Sequence, residues 1–266
     1  MAAPSTIARL RGRKEGPRPT PDAMTLGEHL GELRRRLIVC ICMIAVGAIA
    51  CYVLYPSILH VLQQPYCRAL TYTNKAHRVV HPACDFYVTA PLQSFSLRLD
   101  VSAYGGILIA LPVLIFQLWR FVTPGLKANE KKYALPFAGA TAVLFALGAF
   151  VAYLTFPHAM RFLINVGDPS VVKQILSPNS YVQLILLLML AAGVTFEFPV
   201  VLVALEIAGV LTPARLSKWR RWAIIGMVLF AAVVTPSSDP FSMLALAIPL
   251  LVFYEASIVI GKMLGK

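Results

Sequence analysis

Three carboxylates in this sequence stand in surroundings that ordinarily discourage them: Glu197, Glu32 and Glu130. Glu197 lies just past the middle of SYVQLILLLMLAAGVTFEFPVVLVAL, the stretch between Asn179 and Glu206. That run is long enough to cross a bilayer, which takes about 20 apolar residues. A charged side chain at such a depth costs roughly 2.5–3.5 kcal/mol or more. Only a partner, a wet cavity or a neutral, protonated form offsets that cost. Pro199 follows two residues later and removes the helical hydrogen bond to the carbonyl of Thr195, so a bend is expected beside the acid. Glu197 is therefore read as a functional polar site, against the plainer reading in which it only hydrogen-bonds neighbouring helices. Glu32 precedes Arg34, Arg35 and Arg36, and Glu130 precedes Lys131 and Lys132. Each could accept a guanidinium from a partner through a bidentate bond. On the residues alone the plainer account is the stronger, with Glu32 pairing to Arg36 four residues on and Glu130 to its lysines.

Hydrolytic and nucleotide chemistry has no foothold. The sequence lacks HExxH, GxSxG and a phosphate-cradling glycine loop, the patterns that carry those reactions. It also lacks a pair of intramembrane aspartates, Asp239 lying at a helix end. His29, His60, His77, His81 and His158 are scattered, and no cysteine spacing suits a metal. Neither a metal nor another cofactor is expected.

The elements that must hold these acids are membrane helices. The chain has 266 residues, 58% hydrophobic and 14% charged, against about 25% charged in soluble domains. The net charge of +12 would suggest nucleic acid for a soluble protein. In a membrane protein it reads instead as Lys and Arg concentrated in cytoplasmic loops, with no nucleic acid implied.

Residues 1–24 are basic and interrupted by Pro4, Pro17, Pro19 and Pro21, which predicts a disordered cytoplasmic arm without a signal-peptide core. MTLGEHLGELRRRL places Leu26, Leu30, Leu33 and Leu37 on one stripe, as in a short amphipathic helix lying at the membrane surface. Apolar runs then predict spans over Leu37–Tyr55, Val101–Trp119 with a bend at Pro112, Tyr133–Phe156 closed by Pro157, and the Glu197 segment. Two short runs follow, Trp222–Val234 and Phe241–Tyr254. The first covers roughly 20 Å of helix against a hydrocarbon core of about 30 Å, which points to crossings of locally thinned membrane rather than a re-entrant hairpin.

Pro56 to about Asp100 reads as a wet loop with some local structure. Cys67 and Cys84 both lie in it, and in an oxidising exterior they could pair, a question the sequence leaves open. Cys40, Cys42 and Cys51 fall in an apolar run and read as inert packing residues. Of the 24 Lys and Arg, only Arg68, Lys75, Arg78, Arg98, Arg161 and Lys173 fall in the odd-numbered connections. Both termini are thus expected in the cytoplasm.

Four spaced segments, HLGELRRRL at His29–Leu37, FVTPGLKANEKK at Phe121–Lys132, FEFPV at Phe196–Val200 and TPSSDPFS with AIPL over Thr235–Leu250, together resemble the successive signatures of the TatC family, the polytopic subunit of the twin-arginine protein translocase. The resemblance covers about Thr25 to Glu255. It implies an all-α membrane protein: six transmembrane helices in a curved, glove-like bundle over residues 25–260, the last two short, with a cytoplasmic tail at 261–266.

It further implies that Glu32 and Glu130 receive the paired arginines of a cargo signal peptide, in a cytoplasmic site shaped by Leu33, Arg34, Phe121, Pro124 and Leu126. Glu197, with Thr195 and Pro199, would be the polar group of the concave face that binds a single-span partner of the TatA/TatB type. Asp239 would be the acid of the last outer loop. The implied setting is the bacterial cytoplasmic membrane, among membrane lipids, with self-association and with transport driven by the proton-motive force. PLQSFSLRL at Pro91–Leu99 departs from the pattern, with Gln93 and Ser94 where an acid is expected before the Phe. The competing classes are an ion-coupled small-solute transporter with Glu197 as its proton site, and a membrane scaffold whose acids only join helices.

Overall fold

The structure, a computed structural model, describes residues 26–77, 86–88, 90–122, 134–166, 177–207, 209–235 and 240–263. These form eight helices and no strand: α1 Leu26–Val53, α2 Tyr55–His77, α3 Gln93–Val122, α4 Ala134–Val166, α5 Pro178–Phe196, α6 Phe198–Ile207, α7 Pro213–Val234 and α8 Pro240–Met263. Five stretches are long and apolar enough to span a membrane, in α1, α3, α4, α5 with α6, and α8. α7 falls short of that standard where six spans were expected, because Lys218, Arg220 and Arg221 occupy its first half.

Small residues bring the helices together, since lipid supplies no hydrophobic drive between them and close packing has to. α1 and α3 run antiparallel and cross at glycines: a Cβ on Gly106 would lie 2.6 Å from the Ala48 nitrogen, and one on Gly47 would lie 2.8 Å from the Gly106 oxygen. The same pair is tied at one end by Arg36 and the Gln117 carbonyl, and at the other by Arg98 over the Tyr52 ring. α4 lies against α5 in the same manner, with Gly148 under Ala192 and Phe196. α7 and α8 pair through Tyr254, which donates 2.7 Å to the Leu216 carbonyl, and through an Arg220–Glu255 ion pair of 2.5 Å.

Several boundaries differ from the sequence expectations, each for a packing reason. The amphipathic stretch before Leu37 is no separate surface helix: α1 runs unbroken from Leu26, because Glu, Leu and Arg are strong helix formers with no proline among them. The expected wet loop contains α2, despite Pro65 inside it. Leu62 and Ala69 are buried in the main core, and Tyr181 of α5 donates 2.7 Å to the Leu62 carbonyl. Tyr66, Phe86 and Phe156 surround the Tyr181 ring at 5.4–5.5 Å, so an aromatic cluster caps this end of the bundle. Pro157 does not close the third span. It lies within α4, which continues to Val166 with Phe156, Ala159 and Met160 buried on either side of the proline.

The last two helices, of 22 and 24 residues, are shorter than α1, α3 and α4 but longer than their apolar runs. Helical backbone continues beyond their apolar runs, through basic residues in α7 and past Glu255 to Met263 in α8, and Arg220 and Glu255 form an ion pair between the two extensions. By contrast, the interruption expected beside the buried acid is present: α5 ends at Phe196, α6 begins at Phe198, and Glu197 stands alone between them.

Candidate functional site

The antiparallel pairing gathers the cations at one end. Arg34, Arg35 and Arg36 lie in the first half of α1, Arg120 in the last turn of α3, Arg215, Lys218, Arg220 and Arg221 in the first half of α7, and Lys262 in the last turn of α8. The opposite end has Arg68, Arg98 and Arg161 among the described residues. At the basic end a cavity of about 180 Å³ lies between α1 and α3, lined by Glu32, Arg35, Arg36, Val39, Gln117 and Arg120.

Arg36 organises this cavity. It donates one hydrogen bond to the Gln117 carbonyl at 3.0 Å and another to Glu32 Oε1, and its guanidinium stands 5.9 Å from the Phe121 ring centroid. The plain salt bridge anticipated between Glu32 and Arg36 is therefore formed. It uses one oxygen only. Glu32 Oε2 is buried and has no hydrogen-bond partner among the described residues, which leaves a strong acceptor in a cavity lined with donors. Leu33 and Arg34 are exposed on the same turn of α1. Of the residues anticipated here, Glu32, Leu33, Arg34 and Phe121 are thus brought to one end of one helix pair. Glu130, Pro124 and Leu126 lie outside the described residues, as do Asp239, Cys84 with its pairing to Cys67, and the arm. Arg36, Gln117 and Arg120 were not anticipated as site residues, and the signal that could have marked Arg36 was its spacing of four from Glu32.

Glu197 is the second element of the site. It is 9% exposed, and neither carboxylate oxygen has a hydrogen-bond partner among the described residues. Its backbone caps α5, with the N–H donating 3.1 Å to the Val194 carbonyl while its own carbonyl accepts from Val201 at 3.1 Å. Thr195 turns its hydroxyl back to the Ala191 carbonyl at 2.7 Å, so it does not serve the acid. Pro199 is buried in the first turn of α6, two residues past the acid. One turn before the acid, Gly193 sits against the Phe145 ring. Phe145 in turn helps line an open apolar groove of about 490 Å³ with Leu108, Pro112, Ala149, Tyr153 and Met189.

A third acid was missed by sequence reasoning because it marks the end of an apolar run. Glu206 is fully buried, with both oxygens unpartnered among the described residues. It lies under α8, where a Cβ on Gly261 would come within 2.5 Å of its Oε2. At the opposite end, Gln93 has a structural task instead of an acid's: it donates 2.7 Å to Ser177 Oγ at the start of α5. Asn179 joins the same cluster, donating to Ser96 Oγ at 2.8 Å and to Asp100 at 3.1 Å. Among the described residues no group of three His, Cys, Asp or Glu side chains could hold a metal ion.

A bundle of apolar helices, with cations gathered at one end and, at a break in one span, a buried carboxylate that has no partner among the described residues, defines a polytopic membrane protein. Residues 28–249 match the family model for Sec-independent protein translocase protein (TatC), and the chain belongs to this family. TatC of Aquifex aeolicus is 33% identical over 242 residues, covering 90% of this chain and 95% of that protein. TatC of Frankia casuarinae is 37% identical over 239 residues, covering 90% of this chain. The chain spans 65% of the length of the Frankia protein and 61% of that from Corynebacterium kroppenstedtii. A crystal structure of the Twin Arginine Translocase Receptor TatC in DDM superposes with a TM-score of 0.70 at 32% identity, over 88% of this chain and 99% of that one.

Proposed function

We propose that this chain is the receptor subunit of a Sec-independent translocase in a bacterial cytoplasmic membrane, with both termini in the cytoplasm. It binds twin-arginine signal peptides at its basic end and assembles with TatA/TatB-type single-span proteins to move folded cargo, driven by the proton-motive force. It acts by binding and not by catalysis. The observation that carries this reading is Glu32 Oε2: a buried carboxylate oxygen without a partner among the described residues, in a cavity at the end where the cations gather. Lys and Arg mark the cytoplasmic side of membrane proteins, which is where a signal peptide arrives. An incoming guanidinium can take this oxygen while Arg36 keeps the other, because the Gln117 carbonyl holds Arg36 in place. Glu130 would supply the second carboxylate for the second arginine. The Gly193–Phe145 contact and the neighbouring groove would seat apolar helix beside Glu197, which in its protonated form both donates and accepts a hydrogen bond.

The test is to crosslink a twin-arginine peptide and a partner's membrane helix separately to variants of the full chain. Glu32→Ala should weaken peptide crosslinking about tenfold or more, as loss of a hydrogen bond to a charged group implies, while partner crosslinking stays. Glu197→Ala should lose the partner and Glu197→Gln should keep much of it, both with normal peptide binding. Undiminished peptide crosslinking in Glu32→Ala would sink the receptor site.

A further inference from the structure

The cavity between α1 and α3 carries three guanidiniums and one carboxylate. Arg36 spends its hydrogen bonds on Gln117 and Glu32, whereas Arg35 and Arg120 form no hydrogen bond or ion pair with any described residue. Two guanidiniums with no partner among the described residues thus line one volume of about 180 Å³, several times the roughly 30 Å³ share of one water molecule. Two planar forks suit the tetrahedral oxygens of a phosphate, which arginine binds bidentately.

The depth of the cavity selects the source of that phosphate. Its walls are the ends of two membrane spans, Leu30–Val53 and Gln93–Leu118, with Arg35 one turn inside the first and Arg120 just beyond the second. On the same turns Leu33, Leu37, Ile38 and Leu118 expose their apolar side chains, the surface along which acyl chains lie. Basic pockets between membrane helices at the cytoplasmic face bind lipid head groups. We propose that this cavity is a binding site for the phosphodiester of an anionic phospholipid, held by Arg35 and Arg120 with Arg36 behind them. The site does not depend on the peptide reading, because no peptide is needed to occupy it. It does bear on that reading. A bound phosphate offsets the excess positive charge around Glu32, which would otherwise repel an incoming arginine.

The experiment is native mass spectrometry of the full chain released from micelles titrated with phosphatidylglycerol, with phosphatidylcholine, or with phosphatidylglycerol in the presence of inorganic phosphate. An interfacial arginine is worth about fivefold in affinity for anionic lipid, so the double variant Arg35→Gln, Arg120→Gln should bind phosphatidylglycerol about 25-fold more weakly than wild type. Lys218→Gln with Arg221→Gln removes the same charge from the exposed start of α7 and should change binding by less than about twofold. Phosphatidylcholine, whose choline cation opposes the arginines, should bind weakly to all forms, and inorganic phosphate should not displace phosphatidylglycerol. An equal loss in the α7 double variant would reduce the effect to diffuse surface charge and overturn the site. Equal binding of the two lipids would overturn it as well. Displacement by inorganic phosphate at matching concentration would show a free-anion site and overturn the lipid assignment.

Discussion

At the scale of single residues, the buried acids differ in what surrounds them. Glu32 keeps one partner and one open oxygen, Glu197 stands at a helix break, and Glu206 is sealed beneath a glycine. A buried polar group without a partner is costly, so Glu206 should cost stability that a neutral residue of its shape would not. Glu206→Gln is expected to leave stability within about 1 kcal/mol of wild type or to raise it. Glu206→Ala, which opens a cavity, should destabilise by about 2 kcal/mol or more. Gly261→Ala should cost about 1–3 kcal/mol, since the added Cβ meets the carboxylate and α8 must shift. Thermal unfolding of the purified variants in detergent checks all three. A Gly261→Ala protein as stable as wild type would mean that Glu206 can swing away.

At the scale of elements, α2 is the one whose presence depends most on its neighbours. Its sequence carries Pro65 and a run of polar side chains, including Gln63, Gln64 and Asn74. It is held by Leu62 and Ala69 in the core and by hydroxyls of Tyr153 and Tyr181, which reach the carbonyls of Val61 and Leu62 at 2.9 and 2.7 Å. Tyr181→Phe keeps the aromatic cluster and deletes one of these bonds, so α2 should open more readily by about 0.5–1.5 kcal/mol. Amide hydrogen exchange should quicken within Tyr55–His77 and remain unchanged in α1. If exchange quickened equally in both helices, α2 would not be a separately stabilised unit. α1 is the contrasting case, because its glycine crossing with α3 and its uninterrupted helix formers act together.

At the scale of the whole molecule, the antiparallel pairing of α1 with α3, α4 with α5 and α7 with α8 sorts the charges to one end. Cations concentrate on the cytoplasmic side of membrane proteins, so this end is expected to face the cytoplasm. In a chain freed of its native cysteines, single cysteines at Lys218 or Arg35 should react with a membrane-impermeant maleimide only after the cells are opened. A cysteine at Gln64 of α2 should react in intact cells. The reverse pattern would invert the orientation, and with it the side of the membrane to which the Glu32 cavity opens.

The sequence by itself determined the class, the four family signatures, the side on which the cations gather, and the break at Glu197. Those features are local or additive: apolar run length, charge placement, and a proline two residues past an acid. Tertiary structure decided which helices extend past their apolar runs. Pro157 and Pro65 stay helical because their neighbours are buried against α5 and its aromatic cluster, a contact that no window of sequence contains. It also decided the partners of the acids. The spacing of Glu32 and Arg36 was legible, but the Gln117 carbonyl and Arg120 come from a helix some eighty residues away in the chain. Glu206 looked like the polar end of a span until α8 laid Gly261 over it. Burial and hydrogen bonding of a carboxylate depend on what crosses it in space, and sequence spacing fixes that only within one helix.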